Sequence, residues 1–420
     1  MSAQIESDYW ETISSTMIDK IIDSDYQLLE EIGKGSYGCL FLGQSLKDNG
    51  YVAIKVLSKS GLDHQQLQLQ QLEIDIQESL KHPSLLGLHR VIHEKDYIYM
   101  VMELCDQGDL FDYVVQQQET KTCDESVVKT AFLQILDGIE YMHAQGVYHR
   151  DIKLENVLLQ SVNEDDDEQF TCKVADFGLA TRERYSLEFG CGSTTYLAPE
   201  HFDDEHNFDQ ANENSTTEFI PYDAAASDVW SVGILLLAFL FGRNPWQEAN
   251  GMDPSFAEYR RHPSMLKEQL FPLLSPSCAR FLQSVLSVHA ADRPTISQVK
   301  QQFLQLDKLL VQQQHDNDVE DVYDEDEDEW CFDQEEYAQL PMDIPALPKP
   351  SSKASFDSAI FSAPSGMSWS DMVEEDFQRS DGYSSLSSSI IEEEDEDDFH
   401  NDDDDTDMFV HSQEKGSWWL

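Results

Sequence analysis

His149-Arg150-Asp151-Ile152-Lys153-Leu154-Glu155-Asn156 decides what kind of fold this chain can adopt. From Asp151 to Asn156 it packs a carboxylate, an ammonium group and an amide into six residues, just after a helical pattern that stops at Gly146. A merely connecting loop has no use for that set. Asp151 can accept the proton of an attacking hydroxyl, Lys153 can neutralise a phosphoryl group in transit, and Asn156 can ligate a metal through its amide oxygen. Twenty residues past Asn156, Asp176-Phe177-Gly178 offers a second metal-binding carboxylate, with a glycine to release the chain. Ala198-Pro199-Glu200, Asp228-Val229-Trp230-Ser231-Val232-Gly233 and Asp292-Arg293-Pro294 follow in that order.

Towards the N-terminus, Ile32-Gly33-Lys34-Gly35-Ser36-Tyr37-Gly38-Cys39-Leu40 is a G-x-G-x-x-G loop between two β-forming runs. Its glycines let the backbone approach phosphates and take conformations closed to other residues. Alone, the loop is equally a plain glycine-rich hairpin. A strand rather than a helix follows it, which argues against a dinucleotide-binding fold. Seventeen residues past Gly38, the run Val52-Ala53-Ile54 ends in Lys55, and a candidate helix carries Glu73 ten residues before Pro83. Lys55 can contact phosphate oxygens while Glu73 holds it in place.

The rest of the chain sorts around these strings. Residues 1–25 are polar and mixed, and predict a flexible lead-in. QLLEEI, CLFLGQ, YVAIKVL and Asp96–Leu104 read as strands, with one helix over Leu62–Lys81. After Gly108 the pattern is helical: Leu110–Gln118, Glu125–Gln145, the apolar Ser227–Gly242, Pro276–His289 and Thr295–Leu310. Two acidic stretches, Asn163–Glu168 and His201–Glu218, predict surface loops. The domains expected are a lead-in over 1–25, a folded unit over 26–308, and an acidic, Ser-rich disordered tail over 309–420.

Composition sets limits. Lys plus Arg number 27 against 82 Asp plus Glu, a formal charge of -55, which disfavours nucleic acid and anionic membrane as partners. Residues 311–420 hold 33 acidic and 4 basic side chains, so about half of the excess lies in the tail. Seven scattered cysteines without a C-x-x-C pair predict reduced thiols rather than a disulfide framework or zinc site. MSAQIESDYWETISS has neither a basic start nor an apolar stretch, so no signal peptide is expected. The longest apolar run, Val232–Phe241, is ten residues, short for a bilayer. The expectation is a soluble monomer in the cytoplasm, the nucleus or both.

In this order the strings resemble those of eukaryotic-type protein kinases, over about residues 26–308. The resemblance implies a bilobal α+β fold: a small β-rich N-lobe with one main helix, a larger α-helical C-lobe, and here the acidic tail. It implies ATP and Mg²⁺, and transfer of the γ-phosphate to Ser/Thr of protein substrates. The loop Ile32–Leu40 would cover the phosphates, Lys55 would hold them and pair with Glu73, and Ala53 and Leu158 join the ATP-binding set. Met102 falls at the gatekeeper position, Glu103 and Cys105 offer backbone to adenine, and Asp109 is placed for the ribose. Asp151 is the implied base beside Lys153 and Asn156, with Asn156 and Asp176 as metal ligands. Arg293 is implied as the structural partner of Glu200. Lys153, with Gly192-Ser193 ahead of Tyr196, follows the serine/threonine pattern. FGCGST before YLAPE, the enlarged APE-to-DVW segment and SWSDM in the tail are similar to a fungal group. That group includes a fission-yeast kinase that represses meiosis and budding-yeast kinases tied to nutrient response. The alternative is a catalytically silent kinase-fold scaffold acting through its tail, against which stands that no catalytic position is substituted.

Two departures add expectations. Phe189, flanked by Glu188 and Gly190, stands at the usual activation-loop phosphosite, although Arg150, the usual phosphate partner, remains. Loop order is therefore expected not to need phosphate there, with Glu188 standing in for part of the charge and Ser186 and Thr194 as fallback sites. Asp109 and Glu155 match acidic positions that recognise an arginine three residues before the target, and Ser193 joins them on the substrate side. Ala238 removes the second arginine site. Basic Arg-x-x-Ser/Thr substrates are the expectation. For the tail, a solvated segment, a docking segment for regulatory proteins around MSWSDMVEEDF, and an autoinhibitory segment remain open.

Overall fold

Apart from Lys55, the run Val52–Leu57 is apolar on both faces, and such a strand needs a cover on each side. The computed structural model describes residues 13–35, 38–120, 124–163, 166–202 and 220–311. In it the run forms β4 (Tyr51–Ser58) of a six-stranded antiparallel sheet. Its neighbours are β1 (Ile21–Ile22), β2 (Tyr26–Gly35), β3 (Gly38–Ser45), β5 (Leu88–His93) and β6 (Tyr97–Met102), ordered β1-β2-β3-β4-β6-β5. Ile54 and Val56 pack with Phe41 and Tyr99 on one face; Ala53 and Leu57 pack with Ile74 and Met100 on the other, against α1 (His64–Ser79). Asp63 opens α1 with a reciprocal cap, its carboxylate taking the Gln66 amide while the Gln66 side chain takes its own.

The cover on the first face is the N-terminal segment. Residues 13–17 are helical, β1 pairs with β2, and Met17 and Ile22 are buried in the sheet's outer core. This corrects the flexible lead-in for residues 13–25; residues 1–12, with Trp10, lie outside the described residues. Apart from Lys55 both faces of β4 are apolar, which calls for a cover on each side without saying which segment supplies it.

The second lobe holds α2 (Leu110–Thr120), α3 (Glu125–Ala144), α4 (Ala224–Phe241), α5 (Pro254–Arg261), α6 (Pro276–Val285) and α7 (Ile296–Leu304). Asp124 caps α3, and Gly146 leaves it with φ +69°. The central α4 is longer than the ten-residue apolar run. Its 18 residues are apolar enough to cross a membrane by length and composition, and it is instead buried among the other helices. β5 and α5 were not anticipated; α6 and α7 end earlier than the periodicity suggested. Beyond α7 the chain packs back: Leu309 is buried, and its carbonyl accepts from the Ser275 amide at 2.7 Å. Packing therefore continues past the boundary expected at 308, to Val311; residues 312–420 lie outside the described residues.

Two loop expectations change. Asn163 and Asp166–Glu168 belong to strands, β7 (Val157–Asn163) and β8 (Asp166–Val174), with Asn163 opposite Asp166, while residues 164 and 165 lie outside the described residues. His201 is not on a surface loop: it is buried, while residues 203–219 lie outside the described residues.

Candidate active site

Strand register delivers the first group. In β4, Lys55 lies opposite Leu40 of β3 and Met100 of β6, facing α1, where Glu73 meets its Nζ at 2.7 Å. Burial alone would pull the Lys55 ammonium down, but Glu73 and then Asp176 outweigh it and hold its pKa above the ordinary value. Leu40, Ala53, Met102, Cys105, Leu158 and Ala175 share one apolar cluster between the lobes. The Glu103 amide donates to the Gly87 carbonyl at 3.0 Å, so its carbonyl is the backbone atom left for a ligand. Cys105 is 1% exposed, and its backbone meets no hydrogen-bond partner among the described residues. An unfilled polar edge against an apolar slot fits a flat heterocycle with donors and acceptors on its rim.

The glycine loop forms the tight end of β2 and β3, with Gly35 opposite Gly38. A Cβ on Gly38 would collide with the Val56 carbonyl of β4, so the close approach of β3 to β4 at this point requires glycine. Gly33 and Ile32 belong to β2, as do Lys34 and Gly35 by backbone; Ser36 and Tyr37 lie outside the described residues. Cys39 departs from the expected role: its side chain is buried in the outer core with Phe41 and Val56.

The loop from His149 to Asn156 is held from beneath. Asp228, wholly buried on α4, takes the amides of His149 and Arg150 at 2.9 and 2.8 Å and His143 Nε2 at 2.8 Å. Arg150 adopts φ +68°, a turn that this carboxylate pins. Asp151 then receives four contacts. Asn156 Nδ2 donates to its Oδ2 at 3.0 Å and to its carbonyl at 2.8 Å, the Ser193 amide donates to Oδ1 at 2.9 Å, and Lys153 Nζ lies 3.1 Å from Oδ2. Burial pushes the Asp151 carboxyl up, yet Lys153 and His149 outweigh it and hold it below the ordinary carboxylate value. Lys153 Nζ also donates to Ser193 Oγ at 2.9 Å.

Because its nitrogen is spent on Asp151, Asn156 has its amide oxygen to offer a cation. Asp176, at φ +61°, lies close enough to both Lys55 and Lys153 to raise the pKa of each. One carboxylate and one amide oxygen make a hard, incomplete donor set. That suits Mg²⁺, which keeps waters and phosphate oxygens in its shell, better than a metal needing a full protein cage. No cluster of three His, Cys, Asp or Glu suited to a metal occurs among the described residues.

Flanking this centre, Asp109 and Glu155 are near enough to interact. Burial, then Asp112 and Glu155, push the Asp109 carboxyl up to about 7 against the pull of backbone N–H donors. Glu200 and Arg293 form the expected ion pair, bidentate at 2.7 Å, with Arg293 Cζ over the Trp230 ring at 4.9 Å. Leaving either buried charge alone would cost about 3–5 kcal/mol.

The activation segment is tied down by groups that sequence reasoning only half identified. Arg150 Nη1 reaches Glu188 Oε2 at 2.5 Å, and Phe189 packs tilted against Tyr222 (5.4 Å between ring centres) and edge-on against His201 (6.4 Å). The His201 Nδ1 accepts the Gly190 amide at 3.2 Å, and burial holds its pKa down at about 4. β9 (Tyr185–Ser186) pairs with β10 (Tyr222–Asp223). His201 and Tyr222 escaped the sequence reading because they stand on opposite sides of the acidic insertion.

With this geometry in hand, comparison with known proteins is direct. The protein kinase domain profile matches residues 26–304, and the chain belongs to the protein kinase family. It is 33% identical over 265 residues to a negative regulator of sexual conjugation and meiosis from Schizosaccharomyces pombe, covering 60% of this chain and 54% of that protein. It is 32% identical over 313 residues to the serine/threonine-protein kinase ksp1 of the same yeast, covering 72% and 60%. A CBL-interacting protein kinase 9 from rice (Oryza sativa) is 31% identical over 280 residues, covering 65% and 55%. The chain thus spans a little over half the length of these relatives.

Proposed function

We propose that the protein is an ATP-dependent serine/threonine kinase that uses Mg²⁺. The observation carrying this reading is the convergence of Lys55–Glu73, Asp151, Lys153, Asn156 and Asp176 at one interlobe site. Cys105 and the Glu103 carbonyl bind the adenine edge, between Ala53 above and Leu158 below. Lys55 neutralises the α- and β-phosphates while Glu73 fixes its ammonium. Asp151, kept ionised, accepts the proton of the substrate hydroxyl as the hydroxyl oxygen attacks the γ-phosphorus and the bond from that phosphorus to the bridging oxygen breaks, releasing ADP, and Lys153 offsets charge on the phosphoryl group in passage. Asn156 and Asp176 would hold Mg²⁺, which supplies charge neutralisation at the phosphates when bound.

Two observations support basic substrates. Asp109 and Glu155 lie near each other and Glu155 also lies near Lys153, and residues 1–310 carry 49 acidic against 23 basic side chains. Arg-x-x-Ser/Thr is the motif this arrangement fits. The test is transfer from labelled Mg·ATP to an arrayed Ser/Thr peptide library by the full chain and by Asp151→Asn. The wild type should label Arg-bearing peptides, and the variant should lose about 10²–10⁴-fold in rate. A folded, ATP-binding wild type that transfers nothing would favour a scaffold instead; labelling of acidic or proline-directed peptides would overturn the motif.

A further inference from the structure

At the hinge, the segment Glu103–Cys105 that links the two lobes, lies a polar cluster of side chains with no part in the chemistry above. Glu103 turns its carboxylate there: Oε1 takes the Gly87 amide at 2.5 Å and Oε2 meets Lys173 Nζ at 2.9 Å. With its own amide bound to the Gly87 carbonyl, Glu103 grips that residue twice. The two side chains are 17% and 9% exposed, so the pair is largely withdrawn from water. Lys173 stands on β8, three residues before Asp176, and the next residue, Val174, exchanges backbone bonds with Ser84 and Leu86 at 2.9 Å each. One carboxylate therefore joins the hinge, the segment leading into β5, and the strand that delivers Asp176. Gln77 adds a fourth element: one helical turn beyond Glu73 on α1, its Nε2 donates to the Leu86 carbonyl at 3.3 Å and contacts Met102 Sδ at 3.5 Å.

We propose that Glu103 and Lys173 are positioning residues for nucleotide, a brace that sets the hinge edge at Cys105 in register with the strand carrying Asp176. Purine and phosphates are the two ends of one ligand, so their sites must keep a fixed spacing. A hinge free to slide would blur that spacing while leaving each site intact. A charged pair resists sliding because loss of either partner strands a buried charge. Gly87 belongs to the device: a Cβ there would stand 3.2 Å from Glu103 Oε1, so the carboxylate would have to give by a few tenths of an ångström against its bonds to the Gly87 amide and Lys173.

This inference rests on the hinge binding adenine, and the experiment separates the two. ADP affinity by calorimetry, the KM for ATP, the KM for peptide and the melting temperature are measured for the full-length wild type, Lys173→Met, Lys173→Arg, Gly87→Ala and the double variant Glu103→Gln/Lys173→Met. The brace predicts that Lys173→Met and Gly87→Ala weaken ADP and raise the KM for ATP in step, about threefold to tenfold. Peptide KM stays within twofold, and Lys173→Arg restores nucleotide affinity. The double variant keeps the fold without the stranded charge and still binds nucleotide weakly. If both single variants match wild type for ADP, or lose stability with no selective loss of nucleotide, the brace is wrong. A folded wild type that binds no ADP would overturn the hinge assignment itself, and the brace with it.

Discussion

Asp109 is a carboxylate pulled two ways. Burial and two neighbouring acids disfavour its charge, and the proposed role requires that charge. With a folded pKa of about 7, it is largely neutral in mildly acidic solution and ionises as pH rises through neutrality. A cationic substrate favours the ionised form, so kcat/KM for an Arg-x-x-Ser peptide should climb through about pH 7, and binding should release protons near that pH. Asp109→Asn should give a lower, flatter profile while keeping the bond from the Asp112 amide, which Asp109 Oδ1 accepts at 2.9 Å. The sign for stability is opposite. A carboxyl whose pKa rises on folding stabilises most when protonated, and that contribution is lost as pH climbs through 7. The asparagine variant should therefore melt with less dependence on pH between about 5 and 8. An unchanged activity profile in Asp109→Asn would exclude this residue from substrate binding.

At the level of elements, the activation segment shows which of two ties matters more. Glu188 is 62% exposed on its side chain, and an ion pair with one partner in water contributes about 1 kcal/mol or less. Phe189 sits with Tyr148, Tyr222 and Ala224, and replacing an aromatic in such a cluster costs more than that. Protein made in bacteria should thus be active without an upstream kinase. Phe189→Ala should loosen residues 185–190 in hydrogen exchange far more than Glu188→Gln, with activity falling in the same order. Activity that appears only after treatment with a second kinase would contradict this. The same segment measures what sequence can reveal. Glu188 beside a retained Arg150 was legible, since both lie on a motif with fixed spacing. The Phe189–His201–Tyr222 cluster was not, because its members are drawn from across an insertion and meet only in three dimensions. Likewise the catalytic loop was readable residue by residue, whereas β5 and the packed N-terminal segment were not. A short strand such as LHRVIH carries little period, and residues 13–22 gain their meaning from the sheet face they cover.

Across the whole molecule, charge dominates. Residues 1–310 alone carry more than two acids per base, a field that draws cations and repels nucleotide. Salt should therefore act differently on the two substrates. Between about 50 and 300 mM NaCl, KM for a basic peptide should rise severalfold as screening shortens the reach of the field, while KM for Mg·ATP stays level or falls. Equal responses would mean that only local contacts, and not the collective charge, govern substrate capture.

The apolar central helix has a consequence during synthesis. Ala224–Phe241 is as long and apolar as a membrane span, and part of its cover, α5 to α7, is encoded after it, ending at Leu304. At about 5–20 residues per second, translation of that stretch leaves the segment without those partners for roughly 3–13 s. The nascent chain should therefore be a chaperone client. Ribosome-bound chains stalled near residue 280 should be captured by chaperones, and chains extended past residue 350, with the covering helices outside the ribosome, should be released.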